Sequence, residues 1–450
     1  MSSNLRLEDG SRVAVIGGGP AGSFFTYFLL QMAERIGLEI QVDLYEPRDF
    51  STPGPQGCNM CGGVISESLV RNLALEGINL PAGVVQRGID SYFLHMDVGS
   101  NRIQAPLDER KVAAVHRGGG PRTFQERKFG SFDGYLLDLA VSLGAQRQRC
   151  RVDGFQWQDG RPQVKAQGGA WQTYDLAGVA VGINSPALKL FENAGLAFKP
   201  PGTTKTYITE FLLGRETIKR CLGSSIHIFL LNLPRLEFAC LIPKGDYVTL
   251  CLLGEDIDKP LTQAFLHSPE VQQCMPPNWR PPDDLCHCAP KMNVRSAVRP
   301  FGDRIVFVGD CGTTRLYKDG LGAGYRTAKA AARTAVFHGI GERDFAQHYR
   351  PTCRSLAIDN AIGKFIFAFT RQIQKRRFAR RGVWRMVTQE QLNQGAHRHM
   401  SMVLWDVFTG SATYRDILLR TLHPSFLGGF LWHMVGGRRA VIPEALPGRL

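Results

Sequence analysis

The chain has 450 residues, 44% hydrophobic and 21% charged, with 49 glycines: an ordinary globular composition, too long for one small core. Its longest apolar runs, such as 425–435, are too short to cross a bilayer, and the start lacks the segments of a secretory signal, so a cytoplasmic protein is expected. The net charge of +14 comes without a helix-turn-helix, zinc-finger or aromatic RNA-binding signature, and half of the excess lies in one acid-free run of seven basic residues, 371–385, so no nucleic-acid partner is expected.

Residues 12–16, RVAVI, have the short β-branched pattern of a buried parallel strand. They lead directly into GGGPAGS, where Gly17, Gly19 and Gly22 fit G-x-G-x-x-G and Pro20 and Ala21 open an amphipathic helix over 21–35. A second strand over 40–46 ends in Glu46. This order is that of a dinucleotide-binding βαβ unit. Gly17 allows the tight turn, Gly19 lets backbone approach a pyrophosphate, and Gly22 lets the helix pack on the strand. The helix start offers amides and a positive dipole end to phosphate, and Glu46 would accept the ribose hydroxyls. The pattern does not separate FAD from NAD.

The next stretch, GCNMCGGVIS (57–66), pairs Cys58 with Cys61 three positions apart. Four readings are open: half of a metal site, a redox dithiol, a glycine loop lying against a cofactor, or two packing thiols. A metal site would need Cys286, His287 and Cys288 as well, but C-x-C is not the paired C-x-x-C of zinc sites, and no metal is expected. Eleven scattered cysteines suit a reducing compartment with unpaired thiols.

Residues 200–295 alternate apolar and polar positions and predict an antiparallel sheet, with 244–246 (KGD) as a hairpin turn. Their apolar side chains suit a hydrophobic substrate. Residues 303–308 predict another buried strand, ending at Gly309–Asp310; a glycine-punctuated loop follows, then an alanine-rich helix from Gly322.

With this second motif the sequence resembles the FAD-dependent oxidoreductases of the geranylgeranyl reductase and p-hydroxybenzoate hydroxylase group. The resemblance implies that Gly309 and Asp310 contact the ribityl chain of FAD, and that the loop of Gly320, Gly322, Ala323 and Gly324 lies against the flavin. Amides at the helix start would then stabilise negative charge on the reduced ring. It also implies that Cys61-Gly62-Gly63 is a cofactor-facing loop, with Cys61 on the substrate side as a candidate catalytic acid. The segment 130–146 resembles the family's Phe-Asp before a helix; the arginine often four positions earlier is replaced by Phe129, beside Arg127 and Lys128. Residues 182–189, GINSPALK, stand where hydroxylases carry an Asp and an Arg, which weakens a monooxygenase reading.

From 346 the pattern turns helical. Ile358, Ile362, Phe365, Ile366, Phe369 and Ile373 form a stripe that leads into the basic run and Trp384. That is the pattern of a helix lying on an anionic membrane surface, and equally of a helix packed on the cofactor domain with a solvated end. The expectation is an α/β protein with a discontinuous Rossmann-like FAD-binding domain (1–199 and 296–345), an antiparallel β-sheet substrate domain (200–295) and a helical C-terminal tail (346–450). Its expected reaction is hydride transfer from FAD to a carbon–carbon double bond of a hydrophobic or lipid, isoprenoid-like substrate, with NAD(P)H or a reduced carrier protein as electron donor. A flavin monooxygenase or halogenase, and a peripheral membrane electron-transfer flavoprotein, are the alternatives.

Overall fold

In the computed structural model, which describes residues 5–54, 56–58, 61–105, 112–122, 130–192, 194–281, 286–392 and 398–435, the run Ser11–Ile16 lies in the interior of a six-stranded sheet. The strand order is Phe301–Gly302, Ile305–Phe307, Leu176–Val179, Ser11–Ile16, Ile40–Tyr45, Gln146–Gln148. All neighbours are parallel except the first pair. Alternation assigns the two faces. Ala14, Ile16, Ala177, Val179, Ile305 and Phe307 point into one core with Val152, Val164 and Phe191. On the other face helix Pro20–Arg35 comes so close that a Cβ at Gly178 would stand 2.5 Å from the Phe25 ring. Helix Gly320–Phe337 packs beside it, with Tyr325 edge-on to Phe24 and Phe28 at ring distances of 5.6 and 5.4 Å.

This sheet belongs to the first of two compact units, formed by Met1–Asn59, Arg117–Thr203 and Lys291–Ile358; the second comprises Met60–His116, Thr204–Pro290 and Asp359–Leu450. The segment 1–199 is therefore divided, and Met60–His116 belongs with the second unit. The reason is strand pairing. The seven-stranded sheet of the second unit runs Cys286–Cys288, Tyr207–Leu212, Tyr247–Gly254, Leu236–Lys244, Ser225–Phe229, Ser91–Met96, Gly99–Gln104. Two of its strands thus come from outside 200–295, and Ser91–Met96 pairs parallel with Ser225–Phe229, so the sheet is mixed where a purely antiparallel one was expected.

Leu236–Lys244 and Tyr247–Gly254 are buried at every position, as strands covered on both faces must be. They are joined through Gly245, whose φ of +55° suits glycine in a tight hairpin. Helix Arg350–Lys375 turns Phe367 and Gln374 toward this sheet: Phe367 stacks on Phe238, and Gln374 Nε2 donates to Glu237 O at 2.6 Å. Of the stripe read from the sequence, Ile362, Ile366 and Ile373 are half-buried and the rest face outward. Ile358, Phe365 and Phe369 are more than half exposed, at 53, 63 and 55%. Trp384 is half-buried, and its indole covers Gly99, where a Cβ would meet Nε1 at 2.5 Å, which accords with the packed alternative. Among the described residues no helix is long and apolar enough to cross a membrane.

Candidate cofactor and active site

In the first unit the turn after Ser11–Ile16 is built by exclusion. Gly17 has φ +106°, and a Cβ there would lie 2.5 Å from Ala180 O. A Cβ at Gly22 would lie 1.8 Å from Gly17 O, so only glycine lets the helix start this close to the strand end. Gly19 caps the helix in extended conformation and Pro20 takes its first position, where the missing N–H costs nothing. Gly17 N donates to Tyr45 O and Gly18 N to Glu46 Oε2, both at 2.9 Å. The amides of Ala21 and Gly22 have no acceptor within the helix by its geometry. Glu46 is buried just beyond Ile40–Tyr45, and its Oε1 accepts from Arg48 N at 2.9 Å. Burial raises its carboxyl above the ordinary range, against the pull of these two amide hydrogen bonds. The carboxylate thus buttresses the turn, and each oxygen keeps acceptor capacity for a hydroxyl.

The second glycine turn meets the first. Gly309 has φ +68°, and a Cβ on it would stand 2.5 Å from Ala21 Cβ; one on Gly324 would stand 3.6 Å from the same atom. Two segments almost 300 residues apart in sequence are therefore in van der Waals contact at their helix starts. The helix begins at Gly320, two residues before the expected start, so Gly320, Gly322, Ala323 and Gly324 form its first turns and no longer a loop. Gly322 is demanded by Asp319, whose carboxylate a Cβ would approach to 2.2 Å. Gly320 is different: a Cβ there would lie 3.5 Å from Thr314 Oγ1 and 4.0 Å from Asp310 Oδ1, so the glycine leaves open a space beside that carboxylate. Asp310 is solvent-accessible. Crowding raises its carboxyl, while the Thr314 hydroxyl and the Arg117 guanidinium act in the other direction. Asn293 Nδ2 donates to Asp310 O at 2.7 Å and fixes the backbone there.

Arg117 is a residue the sequence reading did not single out. It forks onto Asp133, Nε to Oδ1 at 2.5 Å and Nη2 to Oδ2 at 2.9 Å, and Asp133 is wholly buried at the start of helix Phe132–Ser142. The basic candidates Arg127 and Lys128, with Phe129, lie outside the described residues. After Arg117 come Gly118 and Gly119, on which Cβ atoms would lie 1.9 Å from Gly57 O and 2.1 Å from Thr52 O. The loop that leads into Cys58 is thus held flat against a glycine run. In GINSPALK, Asn184 is engaged with the backbone of Lys291, accepting from its N at 2.8 Å.

In the second unit Cys61-Gly62-Gly63 lies on the seven-stranded sheet. A Cβ at Gly62 would be 3.2 Å from both Cys251 Sγ and Ile242 Cδ1; one at Gly63, where φ is +66°, would be 2.8 Å from Lys244 Nζ. Beneath the loop is a buried polar group. Lys244 Nζ is 3.2 Å from Glu210 Oε1, which also accepts from Thr249 Oγ1 at 2.6 Å and lies 3.7 Å from His116 Nδ1. Burial lifts the Glu210 carboxyl, but Lys244, His116 and Thr249 together outweigh it and hold it below the ordinary range. His116 is pushed down to about 4 by burial, with Glu210 opposing and Lys244 reinforcing. It is therefore neutral at pH 7, beside a fixed ion pair. The apolar pattern of the sheet does not reveal this group: Glu210, the one charged residue of Tyr207–Leu212, and Lys244, at the end of Leu236–Lys244, were the available signal.

None of the eleven cysteines, all among the described residues, forms a disulfide. Cys286 and Cys288 share a strand in which His287 alternates to the other face and stacks on Tyr207, so these three do not converge on one ion.

No family model matches the sequence, and no curated protein matches it. Solved structures do. The geranylgeranyl bacteriochlorophyll reductase-like protein of Thermoplasma acidophilum has a TM-score of 0.65 at 14% identity, over 92% of this chain and 99% of that one. The flavoprotein/dehydrogenase of Cytophaga hutchinsonii gives 0.61 at 13% identity, over 93% and 96%. A mutant of the halogenase PltM in complex with FAD gives 0.59 at 13% identity, over 94% and 90%. The chain thus has the fold of this flavoprotein group: a mixed α/β architecture with parallel and antiparallel pairing and a helical C-terminal region.

Proposed function

We propose that the protein is an FAD-dependent oxidoreductase that reduces carbon–carbon double bonds of a hydrophobic, isoprenoid-like substrate. The observation that carries this reading is the meeting of the two glycine turns at Ala21 and Gly309, which brings two helix starts and the Asp310 carboxylate together. Such a cradle fits a long cofactor with a pyrophosphate, a polyol and an electron-accepting ring. Ala21 and Gly22 would hold the pyrophosphate, with Gly17, Gly19 and Pro20 shaping the turn, and Glu46 the adenosine ribose. Asp310 would hold the ribityl hydroxyls, with Gly309, Gly320, Gly322, Ala323 and Gly324 providing backbone contact along the ring. FAD, when bound, supplies hydride chemistry through N5.

An isolated alkene is not electrophilic, so a proton must reach one carbon as hydride reaches the other. Cys61 is one candidate donor. The Lys244–Glu210–His116 group lies beneath the Cys61 loop in the same unit. NAD(P)H or a reduced carrier protein would restore the reduced cofactor. To test this reading, the protein is reduced anaerobically and mixed with polyprenyl lipids of graded length. Reoxidation by at least one of them, with the saturated product recovered, is expected; reoxidation by oxygen alone would sink it.

A second reading, a monooxygenase or halogenase, is favoured by the likeness to the halogenase PltM. It requires substrate-stimulated oxygen uptake with NAD(P)H. Membrane docking through 371–385 is proposed in a narrower form: Arg380 forks onto Asp97 and Arg371 pairs with Glu237, which leaves Lys375, Arg376, Arg377 and Arg381 exposed beside Phe378.

A further inference from the structure

Away from the glycine turns and the Lys244 group, three metal-binding side chains meet in the core of the second unit. His95 is on strand Ser91–Met96, His227 on the adjacent parallel strand Ser225–Phe229, and Cys274 shortly after helix Pro269–Gln272. Their ligand atoms all lie within 4.8 Å of one another, the only such grouping among the described residues. His95 Nε2 is 2.8 Å from His227 Nδ1 and 3.5 Å from Cys274 Sγ, and all three residues are buried.

We propose that His95, His227 and Cys274 form a site for a single thiophilic transition-metal ion, Cu+ in preference to Zn2+. The outer hydrogen bonds are those that metal-binding imidazoles need. His227 Nε2 faces Leu222 O at 3.3 Å; a carbonyl only accepts, so this nitrogen carries the proton and Nδ1 presents its lone pair inward. His95 Nδ1 is 2.7 Å from Ser100 Oγ and can donate to it, which frees Nε2 toward Cys274. Metal–nitrogen bonds of about 2.0 Å and metal–sulfur bonds of about 2.3 Å set an N to S separation near ~3.6 Å and N to N near ~3.3 Å. The observed 3.5 Å already fits, and the 2.8 Å pair must open through a small ring rotation.

Charge selects the ion. The set holds one thiol, two imidazoles and no carboxylate, and the rings of Phe93 and Phe229 stack on the histidines. One thiolate neutralises Cu+ completely but leaves Zn2+ with an uncompensated buried charge. Binding as a thiolate requires Cys274 to give up its proton, and the His95 proton moves from Nε2 to Nδ1: one proton leaves per ion, with no change of oxidation state.

The same geometry without an ion is a closed chain in which Ser100 donates to His95, His95 to His227 and His227 to Leu222. The experiment separates the two. The full chain, stripped by chelator, is titrated anaerobically with Cu+ against a competing chelator, and separately with Zn2+. One Cu+ per chain is expected, with one proton released in calorimetry across buffers and an X-ray absorption spectrum of two nitrogens and one sulfur. Cys274→Ser should weaken binding on the order of a hundredfold, whereas Cys286→Ser should not. If Cys274→Ser fails to fold, the absorption spectrum of the unaltered protein decides. No stoichiometric ion, or a different ligand set, overturns the site; preference for Zn2+ overturns the choice of ion.

Discussion

Gly22 and Lys244 are fixed by opposite constraints. At Gly22 any side chain collides with backbone, so Gly22→Ala should cost more than about 2 kcal/mol in urea unfolding and abolish retention of FAD. Lys244 is fixed by its charge. Lys244→Met leaves Glu210 buried without its cation and should cost about 3–5 kcal/mol, whereas Lys244→Met combined with Glu210→Leu should recover most of it. His116, which faces Glu210 and Lys244, supplies the pH dependence. Its folded pKa of about 4 lies below the unfolded value, so the unfolded state takes up the proton first. Its contribution is intact above about pH 6.5 and is lost as pH falls toward 4, by on the order of 1 kcal/mol per pH unit. His116→Gln should flatten the fall in unfolding midpoint over that window; an unchanged profile would contradict the assignment.

Among the elements, the two strand–turn–helix units were legible because every constraint in them is local: a β-branched run, glycines at fixed offsets and an acid at the next strand's tip. The ion pair of Arg117 with Asp133 was not, since its partners are 16 residues apart in sequence with no fixed spacing that announces them. Nor was the histidine pair, 132 residues apart on neighbouring strands, whose meeting depends on a parallel register that alternation alone does not reveal. The sheet in 200–295 was recognised by pattern, but the two strands completing it were hidden in a stretch assigned to the nucleotide-binding part. The tail shows why periodicity can mislead. Its apolar stripe is real, yet the packed face is built on Phe367 and Gln374, leaving Phe365 and Phe369 open. Arg376, Arg377 and Arg381 changed together to Gln should therefore weaken salt-sensitive binding to anionic vesicles without lowering the melting temperature. Arg380→Gln should lower stability instead, since it strips Asp97 of a two-bond partner.

For the molecule as a whole, two segments far apart in sequence close one cradle in the first unit, while the second unit contributes a buried ion pair under a glycine loop. The chemistry proposed depends first on whether that cradle holds its cofactor. The most direct measurement is to denature the purified protein, identify and count the released chromophore, and repeat this with Gly309→Val, whose side chain would strike Ala21. One FAD per chain is expected from the unaltered protein, and a folded but colourless variant that does not take up added FAD. A folded, unaltered protein that is colourless and refuses FAD, or a Gly309→Val variant that keeps it, would contradict the account.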